Sequence, residues 1–449
     1  MTQSPQKKWA IVGGGILGMT TAYRLAQQGH EVTLLEAAPY MGGLAAAWQL
    51  GDVTWDKYYH VILMSDTYTR NILKDLNLDA SIEWIKTKTG FYTDGELYSM
   101  SNSMEFLQFP PLNLIDKFRL GATIFYASKI KDWKKLENIH VDEWLRGLSG
   151  DNTFNKIWLP LLKAKLGENY TETSAAFIWA TIQRMYAARN TGLKEERFGY
   201  VPGGYATVLD TFVDKLKEIG VDVRTSHPVQ SIAKDGEQVN LTYQSGIEER
   251  FDEVILTVPS NVAAKMIHGL QEEEKSRLEN IQYLGVVCAS LVMKKPISEY
   301  YVTNVTDDDT PFTGVIEMTA MVDKEHFGGN TLLYLPKYVK ASDPFFSLTD
   351  EEVKELFWNK IVSMYDHINH DDLLSFQVAR AKNVFALATL KYSEGLPPIS
   401  MSVPGVHVLN SAHIVNGTLN VNESIMLAEK RLPEIIELAN KRKPVEVQL

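Results

Sequence analysis

Three glycines, Gly13, Gly15 and Gly18, follow a short apolar run, with Gly14 between the first two, and a carboxylate, Glu36, ends the next apolar run. In this G-x-G-x-x-G pattern Gly13 lets the chain turn tightly and Gly15 lets the backbone approach a pyrophosphate. Gly18 lets a helix pack closely on a strand. Ile16 and Leu17 open that helix, whose N-terminal N–H groups face the anion. Glu36, with Ala37 beside it, stands where a carboxylate takes ribose hydroxyls and repels a 2′-phosphate. The chemistry this spacing supports is the binding of an adenine dinucleotide, with NADP disfavoured.

A second group of reactive types lies in "VTWDKYYHVI", residues 53–62. Tyr58 and Tyr59 offer ring faces, and His60 is the ionisable group there that can move a proton or orient a substrate. Tyr59 and His60 are therefore catalytic candidates, and Asp56 is read as a local hydrogen-bonding residue. Lys163, Lys165, Arg184 and Arg189 could meet an anionic substrate; the plainer reading is solvated helix faces. Cys288, the one cysteine, lies in the apolar run "LGVVCASLVM" and reads as a buried strand residue in a protein of a reducing compartment. The sequence presents no Ser-His-Asp arrangement, CxxC pair or metal-ligand cluster.

The elements around these residues follow α/β grammar. "WAIVG" reads as a buried strand, "ILGMTTAYRLAQQ" as a helix ended by Gly29, and "EVTLLE" as the next strand. Strand and helix patterns return at 200–232, 251–259 and 404–449. The organisation predicted is a dinucleotide domain in three pieces, 1–66, 200–260 and 404–449. Between them lie a helical insertion, 67–199, and a mixed block of strands and helices, 261–403.

With 449 residues the chain is long enough for two domains with their own cores. A net charge of −11 without basic blocks argues against nucleic acid as a partner. Neither a signal peptide nor a membrane span is legible, so a cytoplasmic location is expected. The stretch "FPPLNLIDKFRLGATIFYASKI", residues 109–130, is an apolar helix candidate opened by prolines. Packing on its own domain is the favoured reading; contact with a membrane surface, or an entry path for a greasy substrate, is the sharper one.

The residues after Glu36 bring a resemblance. Glu36 followed by Gly42-Gly43, E-x-x-x-x-x-G-G, is similar to the flavin-containing amine oxidase superfamily, which includes protoporphyrinogen oxidases and phytoene-type desaturases. Leu44 stands where those relatives commonly have Arg. The resemblance implies an α/β fold: a Rossmann-like FAD-binding domain with an interleaved, mostly helical substrate domain. It implies FAD as cofactor, with Gly42, Gly43 and Leu44 beside the pyrophosphate and flavin, the Val229 backbone at the adenine, and Thr257 and Pro259 in a turn next to the cofactor. "PGVHVLNSAHIVNGTLNVNESI" resembles the family's closing flavin motif, with Asn410 where many relatives have Asp. There a helix beginning at Asn420 and Val421 points its positive end at the flavin. Lys391 and Tyr392, in "FALATLKYSEGLPP", are implied on the flavin side of the pocket.

The activity implied is a two-electron oxidation, desaturation or dehydrogenation, of a small molecule of isoprenoid or porphyrinogen type, with oxygen or another electron acceptor as partner. Amine oxidation, a non-redox sugar-nucleotide mutase (the "YYHVI" segment loosely resembles the His-containing segment of those proteins) and a flavin-binding carrier or chaperone are the alternatives. FAD is expected to be noncovalent, since Cys288 lies far from the usual attachment context. Substrate identity and oligomeric state are not legible.

Overall fold

The computed structural model describes residues 6–189, 197–415 and 417–442, without the side chains of Ser103 and residues 186–189. Lys8–Val12 is a strand of β-forming apolar residues buried on both faces, which is the signature of a covered parallel sheet. It lies in the middle of five parallel strands in the order Asp222–Arg224, Glu31–Leu35, Lys8–Val12, Glu253–Leu256, Val406–Val408. Strands from both ends and the middle of the chain thus share one sheet. On one face pack the helices Ile16–Gln27, Gly204–Glu218 and Val421–Lys441, around Met19, Leu25, Phe212, Leu216 and Ile435. On the other lie the helix Ser260–Met266 and a three-stranded antiparallel sheet, Val229–Asp235, Gln238–Tyr243 and Glu248–Phe251.

A second sheet of seven strands runs Leu373–Ala386, Tyr283–Met293, Thr331–Lys340, Gly314–Glu317, Val302–Val305, Thr89–Thr93, Glu96–Ser99. Cys288 is fully buried in it, as expected. One face is covered by the helix Asp350–Met364 through Phe357, Trp358 and Ile361. Tyr334 and Trp55 lie in the core on the opposite side. The helices Leu114–Lys129, Val141–Ser149, Leu159–Leu166 and Ala175–Arg189 gather at the end of the sheet around Leu284 and Phe385.

The block 67–199 is therefore not helical throughout. Thr89–Thr93 and Glu96–Ser99 form an edge hairpin of the large sheet, and Glu83–Lys86 pairs with Arg197–Tyr200. The hairpin turns on Asp94-Gly95, both with positive φ, which is the Asp-Gly signal of a two-residue turn. That dipeptide between "TGFYT" and "ELYS" was the local cue for strands, outweighed by the helical periodicity around it.

Candidate cofactor and substrate site

The glycine turn is built almost without side chains. Gly13 has φ of +116°, and a Cβ on Gly18 would stand 1.9 Å from the Gly13 carbonyl oxygen, so strand and helix can meet this closely only there. Thr257 locks the same turn by donating to the carbonyls of Val12 and Gly13 at 3.2 and 3.1 Å. Next to it Pro259 starts the helix Ser260–Met266. Gly42 N donates to Gly14 O at 2.8 Å, and a Cβ on Gly43 would come within 3.2 Å of Gly15 Cα. The two glycine segments are thus in backbone contact. A Cβ on Gly15 would meet nothing within 4 Å, and the helix Ile16–Gln27 has no side-chain cap. An open cradle of peptide groups at an uncapped helix N-terminus fits a dinucleotide pyrophosphate.

Ile16 and Leu17 turn their side chains into the core, leaving their backbone as what they can offer an anion. Glu36 accepts from Gly14 N at 2.7 Å and Ala38 N at 2.8 Å, which fixes its carboxylate at the strand end while its remaining lone pairs stay available to a ribose. Ala37 beside it is exposed, and Leu44 is half-buried in the turn Gly43–Ala45. Ser226 N and His227 N donate to Ala38 O and Glu36 O, each at 2.9 Å, so the chain leading to Val229 runs alongside Glu36.

At the closing segment the Asn410 side chain is 1% exposed and fully engaged. It donates to Val258 O at 2.9 Å and accepts from Ala412 N at 3.1 Å, a clasp between the two halves of the site. Asn420 caps the helix Val421–Lys441 by accepting from Glu423 N at 3.0 Å. Asn422 accepts from Tyr68 N and Thr69 N at 3.0 and 3.2 Å, tying that helix start to the helix Thr67–Asp75.

The residues expected to touch substrate are dispersed. Lys391 is exposed, in a left-handed conformation at φ of +53°, and Tyr392 gives its hydroxyl to Ala412 O at 2.7 Å. The Tyr392 hydroxyl thus ties its loop to the closing segment. His60 stands 4.9 Å from the Tyr205 ring, with Nδ1 3.5 Å from Asp56 Oδ2, beside a cavity of about 10 Å³. Such a space holds about one water, and the His60 Nδ1 has no hydrogen-bond partner among the described residues. Asp56 is indeed a local hub: Oδ1 accepts from Tyr205 N at 2.8 Å and its carbonyl accepts from Tyr334 Oη at 2.6 Å.

Tyr59 does meet a ring cluster. Its hydroxyl is 2.9 Å from that of Tyr338, and burial pushes its pKa up to about 12. Tyr338 packs edge-on to Phe385 at 5.8 Å, and Phe385 stacks on Phe177 at 6.4 Å. Lys165 places its ammonium 3.6 Å over the Tyr338 ring and 5.2 Å from Phe385, and burial lowers its pKa to about 7. Leu419, next to the cap residue Asn420, packs against the core to which Phe385 belongs.

The other cations go elsewhere. Lys163 pairs with Glu168 at 3.5 Å and Arg184 with Asp66 at 3.3 Å; the Arg189 side chain lies outside the described residues. Tyr334 and Tyr338 were not among the expected residues. Their spacing in "TLLYLPKY" puts both on one face of a strand, and that alternation was the available signal.

Comparison with known proteins gives the context. A family model described as flavin containing amine oxidoreductase matches residues 18–407. Zeta-carotene desaturase of Synechocystis is 26% identical over 296 residues, 58% of this chain and 58% of that protein. Coproporphyrinogen III oxidase of Staphylococcus aureus is 23% identical over 290 residues, 57% of this chain and 61% of that protein. The chain thus spans under two thirds of the length of such curated relatives. Putrescine oxidase, solved with putrescine bound, shares the fold at a TM-score of 0.72 and 16% identity, over 96% of this chain and 99% of its own. Since the family match runs from the first helix of the dinucleotide sheet to that sheet's last strand, this protein belongs to the flavin containing amine oxidoreductases.

Proposed function

We propose that the protein desaturates or dehydrogenates an apolar small molecule of isoprenoid or porphyrinogen type in a two-electron oxidation, with oxygen or another acceptor taking the electrons onward. The observation that carries this reading is the ring cluster of Tyr59, Tyr338, Phe385 and Phe177, with Lys165 among the rings and no carboxylate paired to it among the described residues. A protonated amine would meet a like charge there below about pH 7, where Lys165 holds its proton. A hydrocarbon gains about 25 cal/mol for each Å² it buries, and a carboxylated macrocycle finds a cation. The names of the desaturase and porphyrinogen-oxidase relatives support the same reading.

Bound FAD supplies the two-electron redox chemistry. The chain's own part is to hold and to exclude. Backbone at Gly13–Gly18 and Gly42–Leu44 would cradle the pyrophosphate, Glu36 would take ribose hydroxyls, the Val229 backbone would serve the adenine, and the helix at Asn420 and Val421 would offer its positive end to the flavin. The rings keep water from the reacting bond. Tyr59 stays protonated at neutral pH and can donate but not accept a proton; His60, beside Asp56, is the group able to take one.

The test is anaerobic mixing of the oxidised holoenzyme with a carotene precursor, a porphyrinogen and putrescine in turn, following the absorbance of oxidised flavin. Bleaching by the carotene precursor or the porphyrinogen is expected. Bleaching by the amine alone, or turnover of a sugar nucleotide without net electron transfer, overturns the reading.

A further inference from the structure

The helix Leu114–Lys129 is inverted. Its buried stripe holds Asp116, Lys117, Leu120, Thr123 and Ala127, whereas Phe118 is 78%, Leu114 74% and Ile115 70% exposed, and Phe125 and Tyr126 are more than half exposed. With about 100° per residue these five large apolar side chains fall on one side of the helix. A helix bathed in water arranges the two faces the other way round. The buried charges are provided for: Asn152 and Thr153 donate to Asp116, and Lys117 Nζ donates to Leu107 O at 2.8 Å. The helix end is fixed as well, with Gln183 donating to Ala127 O at 2.8 Å and Trp179 to Ile130 O at 3.3 Å. The preceding helix, Ser103–Gln108, extends the outward face with exposed Met104 and Leu107.

Charge is segregated around this face. In a chain of net charge −11, residues 101–135 carry six Lys or Arg against three Asp or Glu. Asp116 is buried, Glu105 is bound by Ser99 and Ser101, and exposed Asp132 pairs with Lys135 at 3.3 Å, which leaves Arg119, Lys129, Lys131 and Lys134 as the further exposed cations of the segment. Among the described residues no helix is long and apolar enough to cross a membrane. A contiguous apolar face rimmed by lysines on an otherwise acidic protein matches the interface of an anionic bilayer, apolar side chains in the acyl boundary and ammonium groups at the headgroups. A second copy of the same face would bring its own lysines against these.

We propose that the face formed by Leu114, Ile115, Phe118, Phe125 and Tyr126 rests on an anionic lipid bilayer, with the helix lying in the plane of the interface. This holds whichever molecule the flavin oxidises. The test is flotation of the holoenzyme with vesicles of phosphatidylglycerol and phosphatidylcholine, and with phosphatidylcholine alone. Three proteins are compared: wild type; the triple variant Leu114→Ser, Phe118→Ser, Phe125→Ser; and the charge variant Lys129→Glu, Lys131→Glu, Lys134→Glu. Wild type is expected to float with the anionic vesicles, and the triple variant to lose binding by about tenfold or more while keeping its flavin absorbance. The charge variant is expected to lose the preference for phosphatidylglycerol. Wild type that stays in solution with both vesicle types overturns the proposal. So does a concentration-dependent dimer, seen by light scattering without vesicles and abolished by the triple variant, when vesicle binding is absent.

Discussion

Lys165 is a cation whose chemistry departs far from its type. Its ammonium sits half-buried over the Tyr338 ring without a carboxylate beside it, and burial brings its pKa down to about 7 from an ordinary lysine value. The ring face returns part of what desolvation costs, but not enough to restore the usual value. The sign for stability follows. The unfolded chain holds this proton up to about pH 10, whereas the folded protein releases it near 7, so this group makes the fold less stable at pH 6 and progressively less so as pH rises towards 10. Lys165→Met, which keeps the length of the side chain, should melt higher than wild type at pH 6, by the equivalent of about 1 kcal/mol, and the gap should narrow as pH rises above about 7 and close only at about pH 10. Melting curves across that range check this, and a gap that does not change with pH would show that the ammonium is not desolvated. The resulting arrangement also explains why Lys163 and Arg184 could not be told from Lys165 beforehand: all three are basic residues on helices, and only the fold decides which one meets rings and which ones meet Glu168 and Asp66.

Among the elements, the helix Val421–Lys441 carries the heaviest duty, since its first turn is the one proposed to face the cofactor and its length packs in the core of the dinucleotide sheet. Asn420 satisfies one of the free N–H groups of that turn, and Asn422 fastens the turn to the neighbouring helix. Asn420→Ala should cost about 1 kcal/mol in urea unfolding, and Asn420→Asp should retain the cap. Equal losses in the two variants would show that the side chain acts through something other than capping. This helix was legible in advance because its polar start and apolar periodicity are local, and the same is true of the glycine turn and Glu36. The hairpin at Asp94-Gly95 and the pairing of Tyr59 with Tyr338 were not. The first was masked by helical periodicity on either side, and the second joins residues far apart in the chain whose meeting depends on how the large sheet packs. Lys391 and Tyr392 were placed by their nearness to a recognisable motif; the left-handed backbone of the first and the hydroxyl bond of the second to Ala412 depend on the folded loop and could not be read from that motif.

At the scale of the whole molecule the interleaved chain needs closing, because the dinucleotide sheet is assembled from segments with another domain between them. Glu253, with a side chain 2% exposed, does this at the bottom of the sheet. It accepts from Lys7 at 2.9 Å, pairs with Arg442 at 3.0 Å and meets His407 at 3.1 Å, so residues before the first strand, in the last strand and after the last helix converge on one carboxylate. Lys7 adds a bond to Ala439 O at 2.6 Å. Burial alone would raise the carboxyl pKa, yet the cations and His407 outweigh it and hold it below the ordinary glutamate value, while burial keeps His407 below the usual histidine range. Both shifts have the same consequence. Each group binds its proton more readily in the unfolded chain, so the stability it contributes is complete above its unfolded pKa and is lost as pH falls, first for the histidine below about 6.5 and then for the glutamate below about 4.3. Removing the carboxylate leaves two cations facing each other around a buried histidine, and Glu253→Ala should therefore cost about 3 kcal/mol or more at pH 7. Glu253→Gln keeps the shape but not the charge. It should lose less than the alanine variant and show a shallower fall in stability than wild type as pH drops below about 4.3. Chemical unfolding at about pH 7, 4.5 and 3 measures both effects. If wild type and Glu253→Gln fall in parallel on acidification, the two ends of the chain are held together by packing of the helix Val421–Lys441 rather than by this buried charge cluster.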